Sequence, residues 1–416
     1  MKEYDLIVVG GGLAGVASAV SAKRQGLNVL IIERSGCFGG AISNNLVYPF
    51  MRYWQDNPDD TYTLLSAGIF SEIRELAEQY EKADSLMNFK PQAIKLTLDK
   101  LIVDSGVDFL FHSTVYSVTT KNDKVKSVKV LTKSTKTEFF AKYFIDATGD
   151  GELIYYAGCD YQLGRESDNL CQPMTTCFRI SGVDLDRMRK DYPTLQQKWK
   201  ELKSKGQIKN PRENILSMIG LGEGILHLNT TRVVKLNPTD AFEISRAEVI
   251  AREQVYELFH FLKAHSTAFE NSTIISVANE IGVRESRKLK GVHILTEQEI
   301  ISCKRFEDAI ALGNYEIDVH NPEGTGTYLH YFKQGEVYSI PYRSLLPKEY
   351  TNLLVAGRCL SATHQAHSAV RILPICTCLG QAAGTAIALA EKTTKNTHTI
   401  NTATLRDMLK QANANV

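Results

Sequence analysis

Residues 4 to 9, "YDLIVV", form an almost unbroken apolar run, the pattern of a strand covered on both faces. "LAGVASAVSAKRQG" follows as a helix whose small residues allow close approach to a sheet, and "LNVLIIE" at 27 to 33 is the next strand. A βαβ unit is therefore expected at once. Two helical patterns come next, roughly 61 to 82 and 91 to 105, the second stopping at Gly106, and "VDFLFHSTV" is read as a strand. From 116 to 145 short alternating runs separated by "KNDK" and "KSTK" predict a three-stranded meander that returns to a buried strand.

Residues 166 to about 335 change character, with long charged helices over 184 to 205 and 239 to 264 and isolated strands such as "LHLNTTRVV". "TNLLVAGRCL" then restores the buried-strand pattern and "GQAAGTAIALAEK" a helix of small residues. The expected architecture is α/β. A Rossmann-type first domain is discontinuous over 1–165 and 335–395, an inserted α+β substrate domain spans 166–334, and a tail over 396–416 carries a closing helix at 402 to 412.

Composition narrows the function classes. Lysine and arginine total 48 against 47 acids, so there is no basic surplus for nucleic acid or an anionic membrane surface. "KEYDLIVVGGG" directly after Met1 has no cleavable signal pattern, and a cytoplasmic location is expected. Eight cysteines with no CxxC pair argue against a disulfide framework or zinc ribbon. Residues 372 to 390 carry no charge, but Pro374, Gly380, Gln381 and Gly384 suit a buried helix better than a membrane span.

Gly10, Gly12 and Gly15 form G-x-G-x-x-G between strand and helix, with Glu33 closing the second strand. Gly10 permits the turn, Gly12 lets backbone approach a pyrophosphate, and Gly15 lets helix and sheet pack. Leu13 and Ala14 open the helix whose free N–H groups would meet the phosphates. Glu33 is placed to accept from ribose hydroxyls, and Arg34 lies along the adenine or is simply solvated. Three features favour FAD over NAD. Gly39, Gly40 and Ala41 follow the ribose acid as bare backbone along an extended pyrophosphate. The meander, with Val115 at its start, leads to Ala147, Thr148 and Gly149 at the end of a returning strand. "LLVAGR" then places Gly357 and Arg358 ahead of a helix that carries Gly380 and Ala382.

On "VVGGGLAGVASAVSAKRQG", "DATGDGE", "EIGVRESRKLKG", "YEIDVHNP" and "NLLVAGRCLSATHQAHSAVRILPICTCLGQAAGTA", the chain resembles the bacterial FAD-dependent oxidoreductases with a glutathione-reductase-like FAD domain. The resemblance covers about residues 3 to 392 and implies noncovalent FAD, two domains and redox chemistry at the flavin, without a substrate. The C-x-x-x-x-C dithiol of disulfide reductases is absent, and "GLGEG" at 220 to 224 has the wrong spacing for a second dinucleotide site. A separate electron donor or acceptor is therefore expected.

Pro374 fits the first turn of a helix whose N-terminus is expected to face the flavin. His364 is the candidate acid or base, since imidazole titrates near neutrality. Arg371 is a candidate anion holder or a structural salt-bridge partner. Arg284 and Arg287 divide between the active site and a partner such as Glu285. His367, Tyr48, Arg52 and Tyr342 are weaker candidates, and Cys376 is either packed or a thiol of lowered pKa. A zinc site from His364, His367, Cys376 and Cys378 matches no common spacing. The expected function is hydride transfer between a small polar substrate and the flavin. The alternative is an FAD-bound electron-transfer or modification component without substrate chemistry. A purely NAD-dependent dehydrogenase leaves the later motifs without a role.

Overall fold

The computed structural model describes residues 3–416. Tyr4–Val9 is the central strand of a seven-stranded sheet, parallel to Val29–Ile32 on one side and to Lys136–Asp146 on the other, with Val8 opposite both Ile31 and Ile145. Such strands are covered on both faces, which is why they are apolar throughout. Asp108–Leu110 extends the edge beyond Val29–Ile32, and Leu353–Val355 pairs in parallel with Lys136–Asp146. A strand from late in the chain thus completes a sheet begun at its start.

Lys136–Asp146 serves two ladders. Its first half pairs antiparallel with Lys124–Leu131, which pairs in turn with Thr114–Lys121, and its second half pairs with Tyr4–Val9. Asn352 ties the junction, accepting from the Val125 amide at 2.9 Å and donating to the carbonyls of Val125 and Lys142 at 2.8 and 2.7 Å.

Helix Leu373–Lys392 packs on helix Leu13–Arg24 through glycine. A Cβ at Gly380 would stand 2.1 Å from the Ala14 carbonyl oxygen, and one at Gly384 would stand 2.2 Å from that of Ser18. The helix is apolar enough to cross a membrane, with a mean hydropathy of 1.5, but 94% of that stretch is buried in the protein.

The second core is built on a four-stranded sheet ordered Ser217–Met218, Leu226–Leu228, Phe178–Ser181, Thr273–Val277. Two long helices cover it. Asp184 caps Leu185–Ser204, and Asp240 caps Ala241–His265 by accepting from two backbone amides. Trp199 anchors this core, its ring 5.1 Å from that of Phe261 and its Nε1 donating to the Arg212 carbonyl at 3.0 Å.

Two sequence expectations shift, and one further helix appears. The helix expected over 61 to 82 is Ile69–Tyr80, because Gly68 at φ +67° precedes it and Trp54–Asp56 pairs with Tyr62–Leu64 as a hairpin. His364–Val370 forms a separate short helix capped by Thr363. Apolar residues between Leu289 and Val319 join the first core rather than the second, with Gly313 pressed against Tyr338 and Ile375.

Candidate cofactor and substrate cavity

A cavity of about 1350 Å³ opens at the C-terminal ends of the parallel strands, as expected for ligand sites in open α/β sheets. Gly10, Gly12, Leu13, Ala14, Glu33 and Arg34 line one part of it, together with Gly39, Gly40 and Ala41. Gly10 sits at φ +100°, and a Cβ there would meet the Ala147 carbonyl oxygen at 2.4 Å. Gly12 is different: its nearest neighbour for a Cβ is the Gly40 Cα at 4.0 Å, so backbone is bare toward the cavity. Gly12 is also the N-cap of helix Leu13–Arg24, and no side chain caps that helix or puts an acid in its first turn. Its free N–H groups and dipole suit an anion.

Glu33 is 6% exposed, and its two carboxylate oxygens accept from the Gly11 and Ser35 amides at 2.6 and 2.7 Å. Each oxygen keeps a lone pair for a ribose hydroxyl. Arg34 is paired with Glu280, and both line the cavity. Ala147, Thr148 and Gly149 line the wall, as do Gly357 and Arg358. Arg358 is fixed by Asp150 Oδ1 at 2.8 Å and the Ser286 hydroxyl at 3.0 Å. Burial would raise the Asp150 carboxyl, but the Arg358 charge and the Ser286 hydroxyl hold it below its ordinary range. Bare backbone at Gly12, an uncapped helix N-terminus and an acid with spare lone pairs fit a dinucleotide.

The other end of the cavity is polar and charged. Arg371, Ile372, Leu373 and Cys376 line it, so the first turn of helix Leu373–Lys392 faces inward. Arg284 donates through Nη1 to the Pro173 carbonyl at 2.7 Å and to the Thr175 hydroxyl. Burial, and then the charges of Arg371, Arg212 and Arg232, push its guanidinium down to about 9. Asp318 and His320 are two apart on strand Ile317–His320 and so share a face. His320 Nε2 lies 3.3 Å from Asp318 Oδ2, and its Nδ1 lies 3.1 Å from Arg232 Nη2. A guanidinium only donates, so Nδ1 is the acceptor and Nε2 carries the proton. Burial and the Arg284 charge push His320 down to about 3, so it stays neutral.

The family model for FAD dependent oxidoreductases matches residues 5–409. The chain belongs to that family. Its cofactor is FAD. It is 26% identical over 196 residues to a digeranylgeranylglycerophospholipid reductase of Thermoplasma volcanium, covering 45% of this chain and 49% of that one. It is 35% identical over 106 residues to a thioredoxin reductase of Ureaplasma parvum, covering 25% and 33%. The aligned regions thus span half or less of these curated relatives. A geranylgeranyl bacteriochlorophyll reductase-like structure from Thermoplasma acidophilum shares the fold, with a TM-score of 0.51 at 14% identity over 99% of this chain and 84% of that one.

In this FAD-dependent oxidoreductase several expected residues lie elsewhere. His364 does not line the cavity. It is 2% exposed, its Nδ1 is 2.7 Å from Glu285 Oε2, and its backbone N–H donates to Glu166 at 2.9 Å. Val115 is buried in the meander, and Gly380 and Ala382 are buried away from the cavity, with Gly380 against helix Leu13–Arg24. Gly15 likewise serves packing, since a Cβ there would overlap the Gly10 carbonyl oxygen at 1.8 Å. His367 Nε2 meets the Arg358 carbonyl at 2.7 Å, and burial holds the ring well below its usual pKa. Cys376 lines the cavity, but burial pushes its thiol up to about 12. Tyr48 and Tyr342 donate to the Ile219 and Thr397 carbonyls at 3.1 and 3.0 Å, and Arg52 pairs with Asp56 at 2.6 Å.

Arg284 and Arg287 both line the cavity, and neither takes Glu285, which pairs with Lys288. Arg287 lies over the Tyr155 ring at 4.3 Å. Arg212, Asp318 and His320 were not singled out from sequence. The last two sit in "YEIDVHNP", where the alternation of charged and apolar residues was the available signal.

Proposed function

We propose that this oxidoreductase transfers a hydride between a small polar organic substrate and noncovalently held FAD. One observation carries the reading: a single cavity is lined by the glycine cradle and by Arg284, Arg371 and Asp318. At about 1350 Å³ it exceeds the roughly 300–1,000 Å³ of a pocket for one small ligand. FAD, when bound, supplies a two-electron acceptor or donor. In this reading Gly12 and the N-terminus of helix Leu13–Arg24 hold the pyrophosphate, Glu33 a ribose and Arg358 the wall beside them. The inward turn at Ile372 and Leu373 presents free N–H groups to developing negative charge, as an oxyanion hole does.

Arg284 and Arg371 orient the substrate, and His364 acts as a positioning residue behind Arg284 rather than as the acid or base. The second electron carrier is a separate donor or acceptor. Purified protein is expected to show flavin absorption bands that bleach anaerobically with a small-molecule reductant substrate or recover with an oxidant one. Bleaching by protein donors alone, across a metabolite screen, would replace this reading with an electron-transfer component.

A further inference from the structure

The arginine end of the cavity holds more positive charge than its own acids balance. Arg212, Arg284 and Arg371 line it, and Arg232 lies directly behind His320. Two ionised carboxylates answer these four guanidiniums, Glu213 and Asp318. Glu213 is engaged by Arg232 at 3.2 Å. Asp318 would be raised by burial, but His320 and the charges of Arg371 and Arg284 hold it below its ordinary range. A third acid on the wall, Glu316, is pushed up by burial and by the Asp318 charge, with Arg52 opposing. With Glu316 counted as a carboxylate the surplus is one positive charge.

Donors are also left over. Among the described residues, Arg371 Nε is buried with no partner and Arg371 Nη2 has only a 3.3 Å contact to Gln172 Oε1. Gln172 is buried, and its Nε2 has no partner among the described residues either. Among the described residues Arg284 Nη2 has only Asn229 Oδ1, at 3.4 Å. An unmet buried donor is destabilising, and a neutral polar ligand would meet the donors without answering the charge. A planar guanidinium with free N–H groups matches a carboxylate in shape as well as sign.

We propose that the substrate is an organic acid with a carboxylate held between Arg284 and Arg371. This assignment rests on the reading of the cavity as the redox pocket. The binding test is separate from it, because it reads ligand binding rather than turnover.

The FAD-loaded full chain is titrated with succinate, acetate, succinamide and inorganic phosphate, with thermal melting and the flavin difference spectrum as readouts. Succinate is expected to raise the melting temperature and perturb the spectrum, and acetate to change both in the same direction. Succinamide, the neutral analogue, is expected to do neither. Arg371→Gln is expected to weaken succinate binding at least about tenfold while FAD content is kept. If Arg371→Gln does not fold, Arg371→Lys, which keeps charge without the planar fork, is expected to give a smaller but measurable weakening. The proposal fails if succinamide matches succinate, if phosphate binds more tightly than either carboxylate, or if the folded Arg371 variant binds succinate unchanged. Purified protein without flavin bands sinks the redox reading instead, and melting with succinate still tests the carboxylate site.

Discussion

Glu285 Oε2 lies 2.7 Å from His364 Nδ1, and both side chains are all but inaccessible. The pair is close, although its angles fall outside those of a hydrogen bond. Lys288 pairs with the other carboxylate oxygen, and the Gln172 backbone N–H donates to Oε2 at 3.1 Å. This cluster sits directly behind Arg284 in the chain and fixes the backbone from which that arginine enters the cavity.

Removing the acid of that cluster is expected to be severe. Glu285→Gln leaves the Lys288 ammonium buried without its counter-charge, a loss of about 3–5 kcal/mol. Burial would raise the Glu285 carboxyl, but His364 and Lys288 hold it below the usual carboxylate range. A depressed carboxyl contributes stability above its unfolded pKa and loses it as pH falls toward the folded value. Urea denaturation should therefore show wild-type stability falling as the solution is acidified below about pH 4.5, and a shallower fall in Glu285→Gln. A variant within about 1 kcal/mol of wild type at pH 7 contradicts the assignment.

Glu152 has the opposite sign. It lines the cavity beside Asp150, and burial together with the Asp150 charge raises its carboxyl to about 7. The folded state then binds more protons than the unfolded chain between the ordinary value of 4.5 and about 7, so this group costs stability progressively as pH rises through that window. Glu152→Gln in the FAD-free protein is expected to gain about 1–3 kcal/mol over wild type at pH 8 and little at pH 4.5. Denaturation curves at the two pH values check this, and an equal difference at both removes it.

The first half of the site was readable because its physics is local. Gly10, Gly12 and Glu33 lie within one βαβ unit, where a turn, a bare backbone and an acid at strand end follow from adjacent residues. The arginine end was only half readable. Arg284 and Arg371 stood out as fixed charges near motifs, but Arg212 comes from a loop with no periodic signal. His364 was misplaced for a related reason: its neighbour Glu285 is far away in sequence, and nothing local says which face of a short helix meets it. Gly380 looked like a cofactor glycine because small residues on a helix serve a ligand or another helix equally well. The Ala14 carbonyl is what decided between them.

Arg358 and Asp150 offer a check on the cofactor wall. Asp150 is charged and lines the cavity with the Arg358 guanidinium 2.8 Å away. Arg358→Gln leaves that carboxylate uncompensated next to the place assigned to the pyrophosphate. FAD affinity is expected to fall about 10- to 100-fold, with Asp150→Asn in the same background restoring part of it. Recovery of flavin fluorescence on dilution measures both, and no rescue by the second substitution argues that Arg358 acts by contact with the cofactor alone.

The glycines of the N-terminal motif separate folding from binding. Gly15 has no room, since its Cβ would overlap the Gly10 carbonyl oxygen at 1.8 Å, so Gly15→Ala is expected to force helix and sheet apart. Gly12 has ordinary backbone angles, with φ at −66°, and its nearest neighbour for a Cβ is 4.0 Å away. Gly12→Ala should therefore melt within about 1 kcal/mol of wild type in the FAD-free state, since the added methyl meets open space. The same methyl points to where the pyrophosphate is assigned, so FAD retention should drop at least about tenfold. Gly15→Ala should lose both fold and FAD together. A Gly12→Ala protein that keeps its full flavin complement would move the pyrophosphate away from this turn, and with it the assignment of the helix N-terminus behind it.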